Sequence, residues 1–231
     1  MAVLSRVLII LLSLGAGLVN AAAQSNSSAY VTNLSGTVSV IDTMTNTIVA
    51  TISVGLGPSE IAITPDGTRA YVLDQQDSII SVIDTATYTV VTTIPVRGTA
   101  GTAITPDGTQ AYVTTPGVGN VSVINIATNT VIATIPVGVA PNGIAITPDG
   151  SRAYVANDNS DSVSVIDTTT STVVATIPVG TGPVAVAITP RSPTPTDKEQ
   201  CKHHGYAKFG PPAGPFKNQG QCVSYVEHHS T

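Results

Sequence analysis

Most of the chain lacks the side chains that enzymes most often use as nucleophiles and bases. Between residues 29 and 190 there is no histidine, cysteine or lysine, and the single glutamate is Glu60. A Ser-His-Asp or Cys-His arrangement is therefore excluded from this part of the chain. The sequence also contains no Gly-rich phosphate loop and no CxxC motif. Tryptophan is absent from all 231 residues, which argues against a platform for stacking sugars.

Positive charge is scarce in the same region. Residues 29–190 hold three arginines against eleven acidic residues, a net charge of −8. Residues 191–231 carry five basic and three acidic residues, a net charge of +2. A body with so few cations cannot neutralise many phosphates, so nucleic acid is not expected as a partner.

A long hydrophobic run occurs once, at the N-terminus. Arg6 precedes the apolar residues 7–19, and three alanines at 21–23 offer a cleavage site before Gln24. This pattern predicts a signal peptide over residues 1–23. A membrane anchor is the alternative, but the run is shorter than the roughly 20 residues that a span needs. We expect a secreted, periplasmic or cell-surface protein with no membrane span after cleavage.

The remaining sequence is dominated by internal repetition. Repeats begin at Ala29, Ala70, Ala111 and Ala153. Each contains four segments rich in Val, Ile and Thr, separated by turn residues; in the third repeat they are 111–114, 120–124, 130–137 and 143–147. The letters TPDG follow the last segment and favour a tight turn. The pattern predicts an all-β chain in which each repeat forms one four-stranded propeller blade.

The repeats resemble the YVTN β-propeller repeat family over residues 29–190. The matching motifs are AYVTN, SVSVID, NTVIATIPVG and GIAITPDG. Relatives include surface-layer proteins and parts of oxidoreductases. The resemblance implies that the GIAITPDG strand is innermost, so the first blade lacks its inner strand. We expect residues 184–189 to supply that strand beside 29–32 and to close a monomeric ring of four blades. An eight-bladed ring of two chains, or a shortened relative of a larger propeller, are the alternatives.

Variable loops on this repeated scaffold predict a ligand-binding face. The loops that follow the first segment of each repeat differ most between repeats; they are 33–36, 74–78, 115–120 and 157–162. The candidate binding residues in them are Asp74, Asp77, Asn120, Asn157, Asp158 and Asp161. The loops at 74–78 and 158–162 are acidic and could bind Ca²⁺, but two separated carboxylates make an incomplete site, which favours solvated loops. The recurring Asp residues of the turns are expected to be structural.

The C-terminal part is expected to be separate from the propeller. Residues 191–197 form a proline-rich linker, and residues 198–231 resemble a cysteine-bracketed module at the ends of secreted bacterial proteins. In an exported chain Cys201 and Cys222 should form a disulfide. Two histidine pairs, His203–His204 and His228–His229, either bind Zn²⁺ or Cu²⁺ or stay solvated.

These observations predict a secreted or cell-surface binding module that is not catalytic and needs no cofactor. Its partner is an unknown protein or an envelope ligand. A propeller enzyme of the lactonase or quinoprotein-like type is one alternative. A structural protein of the envelope or surface layer is the other.

Overall fold

The computed structural model describes residues 27–189, which form fifteen β-strands and two short 3-10 turns. The strands are β1 (Ser28–Asn33), β2 (Thr37–Asp42), β3 (Thr47–Ser53), β4 (Pro58–Ile63), β5 (Arg69–Asp74), β6 (Ile79–Asp84), β7 (Thr89–Pro95), β8 (Thr102–Ile104), β9 (Gln110–Thr115), β10 (Asn120–Asn125), β11 (Thr130–Pro136), β12 (Pro141–Ile146), β13 (Arg152–Asn157), β14 (Ser162–Asp167) and β15 (Thr172–Pro178). The 3-10 turns are Pro116–Val118 and Asp158–Ser160.

The strands form four separate antiparallel sheets in chain order. The first sheet contains β1–β2–β3, and the second, third and fourth contain β4–β7, β8–β11 and β12–β15. The predicted strands of the third repeat are confirmed within one or two residues as β9, β10, β11 and β12. The all-β class and the four-stranded repeating unit are thus confirmed for three of the four sheets.

The strands are apolar on both faces because sheets pack against one another face to face. Within β10, Val121 and Val123 contact the fourth sheet, whereas Ile124 contacts the second. All three side chains are fully buried. A strand covered on both faces needs a nearly continuous run of apolar residues, which the repeated Val-Ile segments supply.

The hydrophobic core consists of three clusters, one between each pair of successive sheets. Val38 and Val72 belong to the cluster between the first and second sheets. Leu73 and Val113 belong to the second cluster, and Val123 and Val155 are in the third. Within residues 27–189, each cluster therefore joins sheets that are neighbours along the chain, as in other repeat proteins.

The TPDG segments form the predicted tight turns. In the first of them the Gly67 N–H donates to the Thr64 carbonyl at 2.8 Å, and Gly67 has a φ of +73°. The Thr64 hydroxyl donates to the Asp66 carboxylate at 2.6 Å, and this bond is the main reason that the pKa of Asp66 is lowered. The same contacts recur around Asp107, whose pKa is lowered by Thr105. These aspartates stabilise turns, as the sequence predicted.

Loops and turns lie at opposite ends of the strands. We call one end the loop face; it contains the connections 34–36, 54–57, 75–78, 96–101, 116–119, 137–140, 158–161 and 179–183. The other end, the turn face, contains the TPDG turns and the connections 43–46, 85–88, 126–129 and 168–171. Thr85 links two such turns, because its hydroxyl donates to the Gly67 carbonyl at 2.6 Å.

Ring closure by residues 184–189 was predicted, and the structure contradicts it. These residues are not a strand, and within residues 27–189 no pairing joins them to β1, so the first sheet keeps three strands. Instead the Val184 carbonyl accepts a hydrogen bond of 2.8 Å from the Gly143 N–H in β12. Residues 184–189 thus continue the row of inner strands beyond the fourth sheet, at the opposite end of an open arc from β1.

Several predictions concern residues outside the part that the structure describes. They are the signal peptide over 1–23, the linker and tail, the Cys201–Cys222 disulfide, and the two histidine pairs. Across 27–189, the structure contains no helix with the length and hydropathy of a membrane span.

Candidate binding face

Hydrogen bonds fix the loop of the second sheet to the connection that precedes it. The Leu56 N–H donates to the Asp77 carboxylate at 2.7 Å. The backbone N–H groups of Gln75 and Gln76 donate to the carbonyls of Gly57 and Leu56, both at 3.2 Å. Asp77 therefore has a positioning role in this loop while its side chain stays at the surface.

The fourth sheet repeats this arrangement. The Val139 N–H donates to the Ser160 hydroxyl at 2.7 Å. The N–H groups of Asp158 and Asn159 donate to the carbonyls of Ala140 and Val139, at 3.0 and 3.2 Å. The two acidic loops thus share one hydrogen-bonded geometry, and neither needs a ligand to hold its backbone.

Asp161 fixes the last part of the loop in the fourth sheet. Its carboxylate accepts a hydrogen bond of 2.9 Å from the Gly182 N–H, and its backbone has a φ of +47°. Aspartate tolerates this left-handed conformation better than most residues. Asp158 and Asp161 are both on the loop face. Within residues 27–189, no three Asp, Glu, His or Cys side chains gather in a way that could bind a metal ion.

Two of the predicted binding residues, Asp74 and Asn157, are fully buried. Asn157 donates to the hydroxyls of Ser162 and Ser164 at 3.2 and 2.9 Å, and it accepts from the Gly138 N–H at 3.2 Å. It joins β13 to β14 and to the preceding connection. The structure therefore gives this position a framework role below the loop face.

Asp74 occupies the same position in the second sheet with a carboxylate in place of an amide. One carboxylate oxygen accepts from the Ser81 hydroxyl at 2.6 Å, and the other has no hydrogen-bond partner. Burial raises the pKa of Asp74, and hydrogen bonds from Ser81 and Gly55 offset part of that increase. A buried carboxylate with an unsatisfied oxygen costs free energy of folding.

Asn120, the remaining predicted residue, begins β10 and is half-buried. Its backbone carbonyl accepts a hydrogen bond of 2.9 Å from the Thr115 hydroxyl, which closes the short loop between them. The structure therefore separates the six predicted residues: Asp77 and Asp161 are exposed on the loop face, Asp158 is half-buried there, and the other three lie at or below its base.

The loop face also presents large apolar side chains that the sequence analysis did not single out. Leu34, Leu56, Val118 and Val139 are each more than half exposed. Leu34 and Val118 are at the tips of loops, and Leu56 and Val139 lie beside the acidic loops. The signal in the sequence was a Leu or Val inside each of these glycine-containing loop segments.

Glu60 is at the inner edge of the arc. It lies on β4, and its carboxylate accepts a hydrogen bond of 2.8 Å from the Thr102 N–H of β8. Partial desolvation raises the pKa of this carboxyl, and the hydrogen bond from Thr102 lowers it by less. Glu60 therefore links the inner strands of two successive sheets while its side chain stays exposed.

The sequence of residues 25–186 matches the family described as Lactonase, 7-bladed beta-propeller. The chain belongs to this family. No sequence among curated proteins matches the chain. Four sheets are slightly more than half of the seven blades in the family's description.

Solved structures with a similar fold are also longer than the matched part of this chain. One is described as Kuenenia stuttgartiensis hydrazine synthase; it has a TM-score of 0.63 and 28% identity, over 65% of this chain and 46% of that chain. Another is a functionally unknown protein from Desulfotomaculum acetoxidans DSM 771, with a TM-score of 0.63 and 20% identity, over 68% and 54% of the two chains. The chain thus spans about half the length of these structures.

The family match supports the propeller fold and leaves finer points as predictions. Neither the YVTN repeat family nor the cysteine-bracketed module is identified by the comparisons. The family's name refers to an enzyme, which weakens the expectation that the protein is non-catalytic without deciding it.

Proposed function

We propose that this protein is a secreted or cell-surface binding propeller that contacts its partner through the loop face. The observation that carries this proposal is the set of exposed apolar side chains at the loop tips, namely Leu34, Leu56, Val118 and Val139. Water-exposed Leu and Val side chains gathered on one face of a repeat scaffold are typical of an interaction surface.

The acidic loops supply the polar part of this surface. Asp77 and Asp161 accept hydrogen bonds from backbone N–H groups of neighbouring connections, which keeps each loop in one conformation. A surface that is rigid before binding loses less conformational entropy when a partner binds. The partner that fits is a protein or envelope ligand with apolar groups flanked by positive charge.

The carboxylates of the turn face take part in structural hydrogen bonds and ion pairs, which supports a role without catalysis. Asp66 and Asp107 accept hydrogen bonds within their turns, and Asp84 and Asp167 accept from the turns that follow them and pair with arginines. Each of these groups has a structural use in residues 27–189. A sequence without histidine, cysteine or lysine between 29 and 190 adds to the same conclusion.

Affinity capture from the native cell envelope tests this proposal with matched variants. The full chain is compared with Leu56→Asp and Val139→Asp, which alter the loop face. Met44→Asp is the control, because Met44 is also exposed but lies on the turn face. A partner retained by the wild type and Met44→Asp but lost from both loop-face variants supports the proposal. Equal capture by all four proteins contradicts it.

A second candidate is a hydrolase that acts on lactones, favoured by the family match and by Glu60. A carboxyl whose pKa is raised by partial desolvation suits a general base. It removes a proton from water as the water attacks the lactone carbonyl, and it returns the proton to the ring oxygen as the acyl C–O bond breaks. Hydrolysis of a panel of simple lactones by the full chain, abolished in Glu60→Gln and retained in Asp77→Asn, would establish this activity. The binding proposal expects no turnover by any of the three proteins.

A further inference from the structure

The fourth sheet ends with an apolar face that nothing covers within residues 27–189. Ile52, Ile94 and Ile135 occupy equivalent positions in the outer strands of the first three sheets and are 4%, 2% and 2% exposed. Ile177, at the same position in the fourth sheet, is 43% exposed. The first three side chains pack against the next sheet, and no next sheet follows Ile177 within the part of the chain that the structure describes.

The first sheet has the complementary uncovered face. Val72, Val113 and Val155 are fully buried against the preceding sheet, whereas Val31 at the same position is 43% exposed. In the interior of the arc, a face like that of Ile177 packs on a face like that of Val31. The uncovered faces of the fourth and first sheets are therefore complementary.

A tyrosine-to-turn contact shows the same relationship in finer detail. The Tyr71 hydroxyl of the second sheet donates to the side-chain oxygen of Asn129, in a turn of the third sheet, at 2.9 Å. Tyr154 is the equivalent residue of the fourth sheet, and no hydrogen bond of its phenol occurs within residues 27–189. Asn46 is equivalent to Asn129, has nearly the same φ (+55° against +54°) and is exposed in the first sheet.

The backbone of the first sheet and that of residues 184–189 are complementary in the same way. Among the described residues 27–189, no inner strand pairs with β1 in the first sheet, and residues 184–189 repeat the inner-strand sequence without forming a strand. Gly143 already holds Val184 in line with the inner strands. A strand with open hydrogen-bonding groups and a sheet that lacks one strand are natural partners.

We propose that two copies of this 231-residue chain form one eight-bladed ring. The segment 184–189 of each copy completes the first sheet of the other copy. Ile177 then packs against the region of the other copy's Val31, and Tyr154 donates to the other copy's Asn46. The assembly has twofold symmetry about the ring axis, so the two contacts are equivalent and leave no uncovered face. This inference does not depend on the proposed function.

The span of the arc favours a second copy over closure within one chain. The family to which the chain belongs is described as seven-bladed, and the chain covers 46% and 54% of two solved structures at a TM-score of 0.63. The sheets are therefore spaced as in these larger propellers, and four of them make about half of a ring. Closure of four sheets on themselves would require every angle between sheets to widen, which the packed core resists.

The mass of the native full chain in solution is the first test. Light scattering coupled to size exclusion should give twice the mass that the same chain has in denaturant, and dilution should convert the dimer to monomer. A native monomer at all concentrations, or a series of larger open polymers, would overturn the proposal.

Two variants on β15 then locate the contact. Ile177→Asp places a charge in the proposed interface and should weaken dimerisation by at least about tenfold. Val174→Asp is the matched control: Val174 is 51% exposed, and its equivalents Val49 and Val91 are both 48% exposed although their sheets have neighbours. Equal dimerisation of both variants would contradict the proposed contact.

Hydrogen exchange tests the strand pairing independently of any variant. Amides of β1 should exchange slowly at concentrations where the wild type is dimeric and faster after dilution, whereas amides of β9, in the interior of the arc, should be unchanged. Exchange in β1 that is independent of concentration in a dimeric sample would exclude the exchanged strand.

Discussion

The hydroxyl of Tyr71 donates a hydrogen bond of 2.9 Å to the side-chain oxygen of Asn129, across the boundary between the second and third sheets. Tyr71 is 1% exposed, so its ring is part of the core while its hydroxyl reaches the turn face. Asn129 presents the acceptor from a left-handed turn with a φ of +54°. One residue pair thus couples the packing of sheets to the geometry of a turn.

Replacement of this hydroxyl should weaken the boundary between the sheets by a modest amount. We expect Tyr71→Phe to lower the free energy of unfolding by about 0.5–1.5 kcal/mol, the usual net value of a hydrogen bond. Asn129→Gly keeps the left-handed backbone and removes the acceptor. A double-mutant cycle in urea isolates the pair; a coupling energy of zero would show that the bond contributes nothing.

Asp74→Asn should stabilise the protein at neutral pH. The wild-type carboxylate is fully buried and one of its oxygens has no partner, whereas Asn33 and Asn157 use their amides to donate to hydroxyls at this position. An amide at position 74 can donate to Ser81 and carries no charge. We expect a gain of about 1–3 kcal/mol, the cost of an unsatisfied buried polar group, measured by urea unfolding.

The same variant should change the pH dependence of stability. Burial raises the pKa of Asp74 in the folded state above its unfolded value. The folded state therefore binds this proton more tightly, and the associated stabilisation is present below the unfolded pKa and is lost as pH rises through the folded pKa. Asp74→Asn should remove this loss. An exposed loop variant, Asp77→Asn, controls for the change in net charge; equal pH profiles for both variants would contradict the assignment.

The repeat pattern was sufficient to predict the strands and turns because those depend on neighbours in sequence. The alternation around Val121 and the letters TPDG before Ser151 specify local geometry that the structure confirms. Asp74 was predicted at the surface because loops are usually exposed. Its burial depends on Gly55 and Ser81, which surround it only after the sheets have packed.

Ring closure was less predictable than the individual blades for a related reason. The angle between successive sheets depends on how side chains such as Ile94 and Val113 fit together, and small differences add along the arc. Strand counting alone therefore could not determine whether residues 184–189 reach β1. In the structure, the exposure of Ile177 shows that the first sheet does not pack against the fourth sheet within residues 27–189.

Gly138→Ala should destabilise the fourth sheet. A Cβ atom at this position would lie 2.6 Å from Cγ of Asn157, which is buried and held by three side-chain hydrogen bonds in the sheet and loop. Overpacking of this kind costs roughly 1–3 kcal/mol, which thermal or urea unfolding would detect. Gly117→Ala is the control, because no atom lies within 4 Å of the added Cβ. A similar loss in both variants would show that backbone flexibility, and not the contact with Asn157, is responsible.

Thr114→Val should disrupt the contact between two inner strands with little change in volume. The Thr114 hydroxyl is fully buried, accepts from the Gly101 N–H at 2.7 Å and donates to the Asn142 carbonyl at 2.7 Å. Val cannot form either bond, and both backbone groups would lose this partner in a region that water does not reach. We expect a loss of about 1–3 kcal/mol in the free energy of unfolding.

Thr114→Ser separates the role of the hydroxyl from that of the methyl group. It keeps both hydrogen bonds and should lose only about 0.8 kcal/mol, the value of one buried methyl group. Hydrogen exchange supplies the decisive readout: the Gly101 amide should exchange faster in Thr114→Val and at the wild-type rate in Thr114→Ser. Gly101 leaves room for the close approach of Asn142, whose carbonyl oxygen would lie 2.4 Å from a Cβ there, so the hydroxyl acts where the third and fourth sheets approach closely. Unchanged exchange at Gly101 in Thr114→Val would mean that other contacts hold these strands together.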